Sequence, residues 1–364
     1  MADKLADTDR LGQPFTAEIM LYFSTGQDAL YQLLPWLPAL EALDAEHRVV
    51  CVFRDSRTAD RVRAASTLDC VTLATYGQLD EILSVSDVKL ALYVNHDHLN
   101  FESLRFTSLT HIYLGHGDSD KGVSSSNQIK AYDLCFLAGQ AALERTAASV
   151  MDYDAAARSV LIGQPQLDAA REVARTTTGP TALYAPTWEG SQPSVSYGSL
   201  ATQGEAIMRS LAATYAVIYR PHPLSGVVDP AYAAADAAVR VLASRVDTDV
   251  TLEQSFADAD VLITDVSAVV LNWLPTGSPV VVTRPTSVTA PSKLLDSLPR
   301  LAPGDDALAV VETAQPPPAE LVEHYLGDVT PGAATRAFVE ACGRAIAHRD
   351  TAWATRRAQG ATGP

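Results

Sequence analysis

Two histidines in this chain close short apolar runs and stand where each run gives way to a loop. His116 ends the segment Thr110-His-Ile-Tyr-Leu-Gly-His-Gly117, and His222 ends Tyr215-Ala-Val-Ile-Tyr-Arg-Pro-His-Pro223. In open α/β sheets, ligands bind beyond the carboxyl ends of the strands. Two such histidines, on two sheets facing one cleft, would form an acid–base pair across a shared substrate. A neutral imidazole takes a proton readily at neutral pH, which is what activating a hydroxyl requires.

The neighbours of these histidines extend the chemistry. Pro221 and Pro223 fix the backbone on either side of His222, so its ring is held in a preset direction. Arg220 adds a fork of donors suited to phosphate; the alternative is a rigid turn with Arg220 in a structural ion pair. Gly115 and Gly117 let the backbone approach a ligand beside His116, and Asp118 or Asp120 would orient the imidazole. The same stretch also reads as a glycine turn with a surface histidine. In Asp258-Ala-Asp-Val-Leu-Ile-Thr264-Asp265-Val-Ser267 a buried strand ends and an apolar helix begins. The N–H groups of that helix start, with the Ser267 hydroxyl, suit an anion; the plain alternative is a serine N-cap worth about 1 kcal/mol. Pro186, Thr187 and Trp188 follow another strand and offer backbone and hydroxyl donors with an aromatic wall, or a simple buried anchor. His96-Asp97-His98 has the look of a metal pair but no third ligand nearby in sequence, and no metal site is expected. His47, His111, His324 and His348 carry no readable signal.

The elements that would position these groups alternate along the chain. Apolar runs at Glu18–Thr25, Arg48–Phe53, Cys70–Thr75, Lys89–Asn95, His111–Leu114, Leu134–Leu137 and Ser159–Ile162 predict strands. Several are apolar throughout, as parallel strands covered on both faces are. Helical spacing marks Asp28–Leu43 and Gln78–Leu83. After a connection over Asp168–Pro180, a second series predicts strands at Thr181–Ala185, Ala216–Tyr219, Val239–Ala243, Val261–Thr264 and Val280–Thr283. Helices are expected at Thr202–Ala213, Leu252–Ala257 and Val269–Leu274. The pattern is α/β, with two doubly wound modules of similar size. The expected domains are residues 1–168 and 169–350, with a final helix near Pro331–His348 that crosses back and a structureless tail over 351–364.

Composition narrows the function further. A formal charge of −16 over 364 residues argues against nucleic acid, whose binding needs a basic face, and against docking on anionic lipid by charge alone. Four scattered cysteines without a C-x-x-C pair signal neither a zinc site nor a disulfide framework. No G-x-G-x-x-G or P-loop pattern occurs. The polar amino terminus lacks a signal-peptide core and no apolar run reaches the roughly 18 residues of a membrane span. A cytoplasmic protein, at most peripheral to the membrane, is expected.

Taken in order, these segments resemble the CDP-glycerol glycerophosphotransferase family of teichoic-acid and capsule synthesis. The resemblance runs from about residue 110 to 285. It is carried by His116-Gly117, Lys121, Tyr132-Asp133, Gly163-x-Pro165-x-x-Asp168, Tyr184–Trp188, Arg220–Pro223 and Leu262–Ala268. Val266 and Ala268 replace a tyrosine and a serine of the family pattern. Glu189 stands where a basic residue is usual, and the loop after His116 is more acidic than the pattern. The resemblance implies a GT-B fold, with two Rossmann-like domains about a cleft and a CDP-activated donor on the second. The implied reaction is attack of an acceptor hydroxyl on the β-phosphorus of CDP-glycerol, or a similar CDP-polyol, with release of CMP. It makes His116 the base and gives His222 and Arg220 the donor phosphates, with Gly117, Asp118, Lys121, Pro186, Thr187, Thr264, Asp265 and Ser267 as further substrate contacts. The acceptor would be a lipid-linked saccharide or a polyol phosphate, which implies peripheral membrane contact. The chain length leaves no room for the long amino-terminal region often seen in polymerases, which favours a primase or short-chain transferase. No cofactor is implied. Two other readings remain: a nucleotide-sugar glycosyltransferase or epimerase of the same fold, and a catalytically silent nucleotide-binding protein of cell-wall assembly.

Overall fold

The computed structural model describes residues 7–118, 126–168, 173–190, 198–284 and 293–360. Lys121 and Asp120 lie outside these residues. The chain divides into two compact units. The first comprises Met1–Gly117, Ser125–Ala169 and Leu326–Pro364; the second comprises Asp118–Ser124 and Ala170–Tyr325.

In the first unit the strands are β1 (Ile19–Phe23), β2 (Val49–Phe53), β3 (Asp69–Thr72), β4 (Leu90–Tyr93), β5 (Thr110–Tyr113), β6 (Leu134–Leu137) and β7 (Ser159–Leu161). They form a sheet of order β3-β2-β1-β4-β5-β6-β7, and every pairing is parallel. All five residues of β1 and of β2 are buried, as expected of a sheet covered on both faces. The second unit contains β8 (Thr181–Ala185), β9 (Ala216–Tyr219), β10 (Arg245–Val246), β11 (Val261–Thr264), β12 (Val280–Thr283) and β13 (Arg300–Leu301). Its order is β10-β9-β8-β11-β12-β13, again parallel. In both sheets the order reverses beside the first strand, at β1/β4 and at β8/β11. That reversal opens a crevice at the carboxyl ends of the strands, where α/β proteins bind ligands.

The carboxyl-terminal stretch departs from the expected boundaries. Residues 326–350, drawn by sequence within the second domain but with a final helix crossing back, belong to the first unit. The helix Ala333–Ala358 buries Phe338, Val339, Cys342 and Ile346 against Trp36, Leu40 and Phe136. Gly163 permits this docking. Its φ is +74°, and a Cβ there would lie 2.8 Å from that of Ala334. Asp168 accepts from the Thr335 amide at 2.7 Å and its hydroxyl at 2.8 Å, so the Gly163…Asp168 element is the seat of this helix. The helix also continues ten residues past His348, where a structureless tail was expected. Asp350 pairs with Lys89 at 3.0 Å, and Arg349 donates to the Ser108 carbonyl at 2.9 Å; both partners are distant in sequence.

Two other expectations fail for local reasons. Asp28–Leu43 is not one helix but 3₁₀ turns at Gln27–Gln32 and Leu34–Trp36 followed by a helix at Leu37–Glu46. Pro35 and Pro38 have no N–H to donate and fit only a first turn. Val239–Ala243 is not a strand: residues 239–242 end the helix Pro230–Leu242, whose N-cap Asp229 accepts from Ala231 and whose first residue is a proline. The strand follows at β10. All four cysteines are buried and free.

Candidate active site

Three loops of the second unit carry expected site residues: those after β8, β9 and β11. Arg220 follows β9 and is half-buried. Its Nη1 donates to the carbonyls of Val250 at 2.8 Å and Thr251 at 3.2 Å, and to Ser255 Oγ at 2.9 Å. Ser255 passes the interaction on, donating to Asp247 at 2.6 Å. Asp247 is also held by Arg245, which reaches Asp258 at 2.7 Å. Burial lowers the pKa of the Arg220 guanidinium, while Asp247 and Glu253 oppose that effect; the group stays cationic. Among the described residues no hydrogen bond uses its Nη2 or Nε, which leaves one side of the fork for an anion.

His222 is fixed by its own loop. Its Nδ1 accepts the Leu224 amide at 3.1 Å, so the neutral ring carries its proton on Nε2 as a donor. The Trp188 ring lies nearly parallel to it, at 20° and 6.1 Å between centroids. Glu189, unusual against the family pattern, has a structural task here. It is 7% exposed and accepts from the amides of Gly226 at 3.0 Å, Val228 at 3.0 Å and Asp229 at 3.2 Å. A basic residue could not accept these bonds. Burial works to raise its pKa, but the backbone N–H groups prevail and hold the carboxyl below its ordinary value.

A carboxylate whose pKa is depressed by folding stabilises the fold above its unfolded pKa, and that contribution is lost as pH falls through the folded value. Glu189→Gln therefore destabilises the chain by about 1–3 kcal/mol near pH 7, because an amide presents a donor to some of these N–H groups. Denaturation followed from pH 7 to pH 3 should show the gap between the two proteins closing toward acid; an unchanged gap would refute this role.

The loop after β11 departs from its expected role at two positions. Thr264 and Asp265 are wholly buried. Thr264 Oγ1 donates to the Ala185 carbonyl at 2.6 Å. Asp265 accepts from the Thr187 amide at 2.7 Å, the Ser199 amide at 3.1 Å and the Thr283 hydroxyl. Burial pushes the Asp265 carboxyl up, against the hydrogen bonds from Ser199, Thr283 and Thr187. Both side chains are taken up inside the unit, so they position the Pro186–Trp188 loop instead of presenting groups to a substrate. Thr187 is itself buried, and its carbonyl accepts from Tyr232 at 2.8 Å. Ser267 occupies the N-cap position of the helix Ala268–Trp273 but makes no side-chain cap bond. Its Oγ is buried and has no partner among the described residues. A serine kept only as an N-cap would use that hydroxyl, so the plain alternative does not account for it.

In the first unit, His116 follows β5 on a turn where Gly115 has φ +69° and its carbonyl accepts from Trp36 Nε1 at 2.9 Å. The His116 residue keeps solvent access, yet the protein around the ring desolvates it and lowers its pKa, a hydrogen bond to the Val94 carbonyl acting in the opposite direction. That bond uses one ring N–H and leaves the other nitrogen, in the neutral ring, as a base. The hydrogen-bond partner of the ring within its own unit is thus a backbone carbonyl. Gly117 is exposed and Asp118 half-buried. Tyr31 meets the His116 ring edge-on at 6.3 Å. Sequence reasoning weighed His96 only as half of a metal pair with His98; its ring feels the His116 charge. Among the described residues no cluster of His, Cys, Asp and Glu could hold a metal ion, and no helix is long and apolar enough to cross a membrane.

Comparison with known proteins finds a family similar over part of the chain and solved structures similar in fold. The profile of a family described as CDP-Glycerol:Poly(glycerophosphate) glycerophosphotransferase matches residues 123–288, a span that holds Thr187, Arg220, His222 and Ser267 and leaves His116 outside. No curated protein sequence matches the chain. Among solved structures, the wall teichoic acid polymerase TagF, in a histidine-to-asparagine variant with CDPG, is similar with a TM-score of 0.59 at 13% identity, covering 91% of this chain and 89% of that one. A putative UDP-N-acetylglucosamine 2-epimerase from Listeria monocytogenes is similar with a TM-score of 0.55 at 13% identity, covering 88% and 94%. The UDP-GlcNAc 2-epimerase from Neisseria meningitidis, bound to UDP-GlcNAc, has a TM-score of 0.55 at 10% identity, covering 90% and 99%. At these identities the likeness establishes the fold, which is GT-B.

Proposed function

We propose that this chain, which carries the glycerophosphotransferase family signature over residues 123–288, transfers glycerol phosphate or a related polyol phosphate from a CDP-activated donor to an acceptor hydroxyl. The product would enter teichoic acid or another cell-surface polymer. The observation that carries the reading is the coincidence of that match with an Arg220 whose unused donors and an Nε2-protonated His222 suit a pyrophosphate. The same fold serves UDP-sugar epimerases, but the family match over residues 123–288 favours transfer from a CDP-polyol.

In the proposed step the acceptor O–H gives its proton to the free nitrogen of His116. The oxygen lone pair forms the new bond to the β-phosphorus. The bond from that phosphorus to the bridging oxygen breaks, and its electron pair leaves with CMP. Phosphoryl transfer of this kind depends on positioning and on stabilising charge that builds up on the phosphoryl and leaving oxygens. Arg220 and His222 supply donors for that charge, and the unpartnered Ser267 hydroxyl is assigned the same task. The acceptor is taken to be a lipid-linked saccharide or polyol phosphate, met by a cytoplasmic protein peripheral to the membrane.

Donor choice is tested by thermal denaturation with CDP-glycerol, CDP-ribitol and UDP-N-acetylglucosamine. A ligand that binds only the native state stabilises it by about 2.7 kcal/mol at one hundred times its Kd. A CDP-polyol should raise the midpoint of the wild type, and Arg220→Ala should lose most of that rise. Stabilisation by the UDP-sugar alone would overturn the reading.

A further inference from the structure

The crevice at the β1/β4 reversal of the first sheet holds a residue that the transferase reading leaves unused. β4 and β5 are paired in parallel with Tyr93 opposite Tyr113. His96 and His116 each lie three residues beyond that pair, so the register brings two histidines out at neighbouring strand ends. His116 turns back toward β4, where its ring bonds the Val94 carbonyl, two residues before His96.

The surroundings of His96 are built and rigid. Asn95 donates to Thr25 Oγ1 at 3.1 Å and Gln32 Oε1 at 2.9 Å, tying the loop after β4 to the one after β1. The His96 ring stacks on Tyr113 at 4.1 Å and 9°. Neither of its nitrogens makes a hydrogen bond among the described residues, and Nδ1 is buried. The residue as a whole is only half-buried. Nδ1, being buried, is out of a ligand's reach, so Nε2 is the ring nitrogen left to meet one. Burial, with the His116 charge adding to it, pushes the His96 pKa down to about 4, so at neutral pH the ring is an uncharged donor and acceptor.

A single base needs only one histidine, and a metal site would need a third ligand that the described residues do not offer. We infer that His96 is an acceptor-binding residue that holds a second hydroxyl of a polyhydroxylated acceptor, beside the one His116 deprotonates. The substrate class is then an acceptor end with neighbouring hydroxyls, as in glycerol or a sugar, and not a lone alcohol. This inference rests on the transferase reading, and its test separates the two.

The test measures CMP release from CDP-glycerol with glycerol or 1,3-propanediol as acceptor, above the rate with water. Propanediol keeps the attacking primary hydroxyl and lacks its neighbour. One hydrogen bond contributes roughly 0.5–1.5 kcal/mol, or about two- to tenfold. The wild type should prefer glycerol by that factor in kcat/KM, and His96→Phe, which retains a stacking ring without polar atoms, should bring the ratio close to one. His96→Ala, which removes the ring and both nitrogens, should give the same loss and serves if the phenylalanine variant does not fold. A wild type indifferent to the two acceptors, or a variant that keeps the preference, overturns the inference. No CMP release with either acceptor overturns the transferase reading itself.

Discussion

His116→Asn should lower transfer from CDP-glycerol by about 10²–10⁴-fold, the usual contribution of a general base, while CDP-glycerol still raises the thermal midpoint of the variant. The imidazole is prepared for this role. One ring N–H is held by the Val94 carbonyl, and desolvation lowers the pKa, so the ring is neutral at pH 7. A lowered pKa also sets the direction of the pH profile. The acid limb of kcat/KM in the wild type should fall below the free histidine value of about 6.5, and the asparagine variant should lack it. Full turnover in the variant would remove His116 from the mechanism and leave the donor assignments standing.

Asp265→Ala should be the most damaging single change to the second unit. The carboxylate lies beyond the end of β11 and gathers the amides of Thr187 and Ser199 and the hydroxyl of Thr283. Alanine leaves these donors in a site with no solvent access. Each unsatisfied buried donor costs about 1–3 kcal/mol, so a loss of 3 kcal/mol or more is expected, roughly the upper range for point substitutions. Urea denaturation reads it as a lower midpoint at unchanged slope. A loss below about 0.5 kcal/mol would show that these groups find water or other partners, and that Asp265 does not organise the Pro186–Trp188 loop.

The contrast between Asp265 and Arg220 shows where the sequence is readable. Strands covered on both faces leave unbroken apolar runs, so the ends of β5, β9 and β11, and the polar residues there, were visible in the chain. Whether such a residue faces outward or inward depends on partners far away in sequence. The resemblance made Asp265 a substrate contact, but its partners are Thr187 and Ser199, 78 and 66 residues upstream, and Thr283, 18 residues downstream. Glu189 stood out only as an acid where a basic residue is usual, and it is the acceptor for a row of amides that no sequence pattern records. His96 was weighed only against His98, its near neighbour in sequence. Its relevant neighbour is His116, reached through the register of β4 with β5. The helix Ala333–Ala358 runs past its expected end for a similar reason, since Lys89 and Ser108 secure its last turns.

Phosphoryl transfer from a CDP-polyol is read directly by phosphorus NMR of the wild-type chain with CDP-glycerol and an excess of glycerol. CMP and a new phosphodiester of two glycerols should appear together, one for one. CDP-glycerol left intact, while UDP is released or the sugar epimerised from UDP-N-acetylglucosamine in a parallel sample, would contradict the transfer.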